Sequence, residues 1–139
     1  MVRATRGSGP AGGVDVTLLR VDLRWLLDVQ EQASPEDLSV RDYSALQAAV
    51  ARHRVNTAQL GHDADPAWCA ATLMHTIVLL RPLPVRNNLY ACMTTAAYMH
   101  AAGEGVDPPY GALVELARDI AGARADVYAA ADRIRSWRI

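Results

Sequence analysis

The sequence predicts an all-α fold, a compact bundle of about six helices, and three observations carry that reading. Residues 68–80 and 89–102 are apolar on nearly every side, as helices are when other helices surround them. Segments on either side of this pair place apolar residues at helical spacing with charges between them. Helix starts and stops punctuate the chain: Asp65-Pro66 and Asp107-Pro108-Pro109 supply an acceptor for an orphan amide followed by proline, and Gly103 and Gly122 supply stops.

Taken in order, residues 1–13 carry Arg3 and Arg6 but then a Gly/Pro-rich stretch instead of an apolar core, so they read as a flexible tail and not as a secretory signal. Residues 14–139 read as one domain. Residues 16–19 fit a short strand or an extended arm. A first helix over 21–32 follows from Leu23, Leu26 and Leu27, and a second over 41–53 from Leu46, Ala49 and Val50. Ser34-Pro35-Glu36-Asp37 has the look of a helix start, yet the pattern stalls at Ser39. Residues 54–63 have no helical stripe and read as a loop or small hairpin, the candidate for a flap. The third helix runs from Asp65-Pro66 to Leu80, the fourth over 89–102, the fifth from Asp107-Pro108-Pro109 through Ala121, and the last over 125–137 with Tyr128, Ala131, Ile134 and Trp137 in register.

Composition narrows the function classes. The chain has 139 residues, enough for one core, and a net charge of -1. That balance offers no clustered positive field for phosphate backbones, so no nucleic-acid partner is expected. All 14 basic residues are arginine. Cys69 and Cys92 sit inside apolar helical patterns at a spacing that matches no metal or redox motif, which predicts buried free thiols and a reducing, cytoplasmic location. The longest apolar stretch falls short of the ~20 residues that span a bilayer, so no membrane partner is expected.

The connection Leu80-Arg81-Pro82-Leu83-Pro84-Val85-Arg86-Asn87-Asn88 joins the two central helices, and its two prolines forbid helix there. It must be a stiff, shaped loop. Arg86, Asn87 and Asn88 stand at the start of a long helix, where free amides and the helix dipole favour an anion; the alternative is that the asparagines simply cap the helix.

From residue 40 to Gly103 the order of features resembles the Fic/Doc (death-on-curing) family. The resemblance rests on Val40-Arg41-Asp42, Leu46 and Ala49-Val50-Ala51-Arg52 on the second helix, on Ala70-Ala71-Thr72-Leu73-Met74-His75-Thr76-Ile77-Val78 before the loop, and on the alanine-rich helix ending in Gly103 after it, about half the chain. It implies a helical bundle with a flap before the central pair and a loop reading His-Pro-Phe-x-Asp/Glu-Gly-Asn-Lys/Gly-Arg, in which His is the base, the acid holds a metal and the Gly-Asn end cradles phosphate. Here Pro82 and Asn87 match. Arg81 stands at the His position, Leu83 at Phe, Val85 at the acid, Arg86 at Gly, Asn88 at Lys/Gly and Leu89 at Arg. An arginine stays protonated and cannot serve as a base, valine cannot ligate Mg, and Arg86 puts a side chain where backbone must approach phosphate. The motif is degenerate, and neither typical AMP transfer nor Doc-type phosphotransfer is expected.

Three readings follow. In the first, the cleft between loop 81–88 and flap 54–63 is repurposed to bind or transform a small molecule without metal, nucleotide or cofactor, by cyclase-, isomerase- or hydrolase-like chemistry. Arg81, Arg86 and Tyr90 would stabilise a developing oxyanion, His62 or His75 would accept a proton, and Pro82, Asn87 and Asn88 would contact the ligand. In the second, the chain is a toxin of a toxin–antitoxin pair that acts on a translation factor and is held by an antitoxin. In the third, it is a catalytically dead module that takes an extended peptide at the flap by strand pairing. A homodimer is a further partner state. For His75 the alternative is a packed core histidine, for His62 a surface loop residue beside Asp63 and Asp65, and for Tyr90 ordinary packing. His53 and His100 are explained by the favourable dipole at helix C-termini.

Overall fold

The computed structural model describes residues 4–7, 18–55 and 64–139. The chain forms strands β1 (Ala4–Gly7) and β2 (Leu18–Val21) and helices α1 (Leu23–Ala33), α2 (Tyr43–Arg54), α3 (Pro66–Leu80), α4 (Asn87–Ala101), α5 (Ala112–Ala121) and α6 (Val127–Ser136). Among the described residues the architecture is a bundle of six helices, as the apolar patterning predicts.

α3 is the axis of the bundle. Eleven of its fifteen residues are buried, so it must be enclosed, and it packs against α2, α4, α5 and α6. α1 closes the far side of α4. Asp65 starts α3 by accepting from the Trp68 amide at 2.8 Å with Pro66 at the first position. The same carboxylate is gripped by both Nε (2.7 Å) and Nη2 (3.0 Å) of Arg135 on α6, a fork that fixes the last helix to the start of the central one. Those contacts outweigh the burial of Asp65 and hold its carboxyl below the ordinary value.

The ends of the elements depart from the pattern for identifiable reasons. α1 begins at Leu23 and not at 21, because Asp22 caps it through the Trp25 amide while Val21 belongs to β2. α2 begins at Tyr43, with Asp42 accepting from the amides of Ser44 and Ala45. α4 begins two residues early, at Asn87. α5 begins only at Ala112: the Asp107 amide donates to the Trp137 carbonyl and Val106 bridges Arg138, so this stretch stays extended and ties down the C-terminus. In the segment read as a tail, Ala4–Gly7 pairs antiparallel with β2, Ala4 opposite Val21 and Gly7 opposite Leu18, because β2 offers an open strand edge. Cys69 and Cys92 are buried and free. No helix of the described residues is long and apolar enough to cross a membrane.

His53 is not an exposed cation at a helix end. It is 3% exposed, its Nδ1 donates to the Val50 carbonyl at 2.6 Å, and its Nε2 accepts from the Val21 amide at 2.9 Å. A ring that donates at one nitrogen and accepts at the other is neutral. It therefore joins β2 to α2, and burial pulls its pKa below the ordinary 6.5. Because the folded value lies below the unfolded one, the unfolded chain takes up the proton first as pH falls. The stabilisation is complete above pH 6.5 and is lost below it. His75 shifts in the same direction, whereas the depressed carboxylates of Asp37, Asp42, Asp65 and Asp119 act only from about pH 3.8 downward. The thermal midpoint should fall between pH 7 and pH 5, and the fall should shrink in His53→Gln; an identical slope in both proteins would contradict this role.

Candidate functional site

The loop between the central helices is shaped by three sets of contacts. α3 ends on Arg81 in the left-handed region (φ 51°), whose amide donates to the Ile77 carbonyl. The Pro82 carbonyl then accepts from the amides of Arg41 (2.8 Å) and Asp42 (3.0 Å), and the Arg41 guanidinium donates to the carbonyls of Leu80 and Arg81. These bonds lash the loop to the start of α2. Finally, Asn87 clamps Leu83 from both sides: its Oδ1 accepts from the Leu83 amide at 2.9 Å and its Nδ2 donates to the Leu83 carbonyl at 3.0 Å. Both residues are 2% exposed. The loop is held by backbone groups and one amide side chain, with Pro82 buried inside it.

Arg86 precedes α4 with φ 62°, again left-handed, and α4 carries no side-chain cap hydrogen bond. The first amides of α4 thus lack a side-chain acceptor among the described residues, a frame that suits an anion. The Arg86 guanidinium lies 2.8 Å from Glu36, with both side chains more than half exposed, so the pair contributes little. The Asn88 Oδ1 is buried and lacks a partner among the described residues.

Beside the loop lies a pocket of about 210 Å³ lined by Ser34, Glu36, Asp37 and Ser39 on one wall and Leu83 to Arg86 on the other. Among the described residues the opposing wall is the α1–α2 connection. The two flanks of the flap sit at the other end of α3: the His53 carbonyl, just before Arg54 and Val55, accepts from Cys69 Sγ in the first turn of α3, and Ala64 directly precedes that turn. A fifteen-residue helix is about 22 Å long. The flap residues 56–63, His62 among them, lie outside the described residues.

The expected catalytic set is only partly assembled. Arg81, Pro82, Arg86, Asn87 and Asn88 share the loop. Tyr90 does not face the pocket: it is fully buried, its hydroxyl donates to the Leu26 carbonyl at 2.7 Å, and burial raises its pKa well above the usual phenol value. Helical spacing explains this, because Tyr90 falls on the inward face of α4 with Ala91 and Thr94. His75 is not a free base. Arg52 Nη1, always a donor, lies 2.8 Å from His75 Nδ1, so that nitrogen accepts. Burial and the adjacent Arg52 charge then lower the His75 pKa. Proton uptake there would require breaking the Arg52 bond. Sequence reasoning missed Glu36, Asp37 and Arg41; the stalled pattern at Ser34-Pro35-Glu36-Asp37, a polar turn next to a stiff loop, was the available signal.

Comparison with known proteins finds no family model and no curated protein that matches the chain. The fold and the loop define its class at the level of a helical bundle with a clamped connection between two enclosed helices.

Asn87→Ala should cost about 3 kcal/mol in urea unfolding, since it strips the partners from a buried amide and a buried carbonyl of Leu83. At Arg86, both Gly and Ala remove the Glu36 pair, but only Gly tolerates the left-handed backbone. Arg86→Gly should therefore be more stable than Arg86→Ala by about 1 kcal/mol, and equal stabilities would contradict the geometry.

Proposed function

We propose that the chain is a divergent Fic/Doc-type domain that binds a small polar ligand in the pocket between loop 81–86 and the α1–α2 connection, instead of transferring a nucleotidyl or phosphoryl group. Support for the kinship comes from the backbone. Arg86 adopts the left-handed conformation at the position where the resembled motif carries glycine, and the loop joins two enclosed helices as that family layout requires. One observation carries the choice of binding over catalysis. The described polar groups expected to do chemistry near the loop are committed: Asn87 to Leu83, Tyr90 to Leu26, His75 to Arg52. None is left as a proton acceptor at neutral pH. Glu36 and Asp37 opposite Arg86 favour a ligand that carries both an anionic and a cationic group.

A second reading, a toxin of a toxin–antitoxin pair acting on a translation factor and neutralised by an antitoxin, is favoured by the α4 N-terminus. Its amides lack a side-chain acceptor and stand next to Arg86, which keeps the frame of a phosphate cradle even without a metal-binding acid.

The two readings separate in one set of measurements. Thermal shift screening with small zwitterionic metabolites and with nucleotides plus Mg should find a stabilising zwitterion whose effect disappears in Arg86→Ala and Glu36→Gln. Incubating the protein with lysate, ATP and Mg should leave every lysate protein at its original mass. A phosphorylated or nucleotidylated target would overturn the binding reading and support the toxin.

A further inference from the structure

Between α2 and α3 a cation sits half-buried without a counter-charge among the described residues. Arg52, in the last turn of α2, donates through Nη1 to His75 Nδ1 at 2.8 Å and to Thr76 Oγ1 at 3.2 Å, both on α3. Both acceptors are neutral. No described carboxylate pairs with the guanidinium, and Asp126, whose charge acts on His75, spends its side chain capping α6 through the Ala129 amide at 2.8 Å. Tyr128, on the first turn of α6, is the other titratable group that Arg52 senses, and its ring packs on Trp68 at 5.1 Å. Burial penalises the Arg52 charge, and nothing among the described groups repays that cost with an opposite one.

The geometry of the guanidinium is informative. Both bonds leave from Nη1, so the planar group is held in place by α3 while its Nε and Nη2 edge makes no hydrogen bond among the described residues. That edge is the one that takes a carboxylate or phosphate through two parallel N–H donors. A guanidinium whose plane is fixed at Nη1, with its other edge free of partners among the described residues and in a half-buried setting that strengthens charge-assisted bonds, is a pre-positioned anion fork.

We propose that Arg52, held by His75 and Thr76, forms a second ligand site, separate from the loop pocket, that binds a carboxylate or phosphate group of a small molecule. Arg52 supplies the fork and the charge. Thr76 and His75 act as positioning residues, fixing the guanidinium plane.

The test is a titration of the isotope-labelled full chain with sodium acetate and, separately, sodium phosphate at constant ionic strength, followed by NMR at the Arg52 Nε–H and His75 imidazole signals. One of the two anions should give a saturable shift at both signals, and the stronger binder names the class. Arg52→Lys keeps the charge but loses the fork and should weaken that binding about tenfold or more, while Arg24→Lys, at an exposed arginine on α1, should leave it unchanged. No saturable shift with either anion in the wild-type protein would overturn the proposal, a result that needs no variant to fold. Equal affinity in Arg52→Lys would overturn it as well, by showing a diffuse charge effect in place of a fork.

Discussion

The bundle is organised by the absence of a polar face on α3. A helix with eleven buried residues in fifteen can exist in water only if neighbours cover it, so α2, α4, α5 and α6 are all placed by that one requirement. Three of the hydroxyls that α3 and α4 carry in the interior are resolved within their own helices. Thr72 donates to the Cys69 carbonyl, Thr76 to the Thr72 carbonyl and Thr95 to the Ala91 carbonyl. Those hydroxyls add no demand for outside partners, which lets the two helices pack as if they were apolar. The large phenols work in the other direction: Tyr90 and Tyr98 reach across to the carbonyls of Leu26 and Leu19 and tie α4 to α1 and β2.

Enclosing two consecutive helices puts the strain into the turn between them. The chain must reverse within a few residues while both ends are fixed. It does so with left-handed backbone at Arg81 and again at Arg86, each costing a non-glycine residue of order 1–2 kcal/mol. The two Asn87 bonds, the two amides on Pro82 and the Arg41 guanidinium offset that cost. The loop's shape is thereby independent of any ligand. The same accounting explains why its polar residues are poor candidates for chemistry: the groups that hold the turn cannot also move protons.

Much of the fold was legible, because helix caps and unbroken apolar periods are local properties. Asp65-Pro66, the enclosed pair and the proline loop all fall where the pattern put them. What the pattern could not supply was the destination of individual polar groups. Nothing local to His53 distinguishes a cation at a helix end from a buried acceptor for the Val21 amide, since the partner lies 32 residues away. Asp107-Pro108-Pro109 reads as a helix start, but the Trp137 carbonyl claims the Asp107 amide and holds the segment extended. The site was less legible for the same reason. Loop 81–88 was visible from its prolines and asparagines, whereas the described wall opposite it, Ser34, Glu36, Asp37 and Ser39, comes from a segment far earlier in the chain whose only sign was a stalled period.

Two histidines show how one side chain serves two ends in this bundle. At His53 both ring nitrogens are satisfied by backbone groups and the residue is 3% exposed, so the arrangement is closed and its role is to join β2 to α2. At His75 the donor is a cation, Arg52, and the exchange is incomplete: it occupies Nδ1 but leaves the arginine's charge and one edge of its fork unanswered among the described residues. Protein interiors tolerate the first arrangement because it costs only a neutral ring. The second keeps a penalised charge half-buried, which stability alone does not favour when an apolar residue at position 52 would pack on α3 without it. The contrast separates a histidine that serves the fold from a pair that has no negative partner among the described residues.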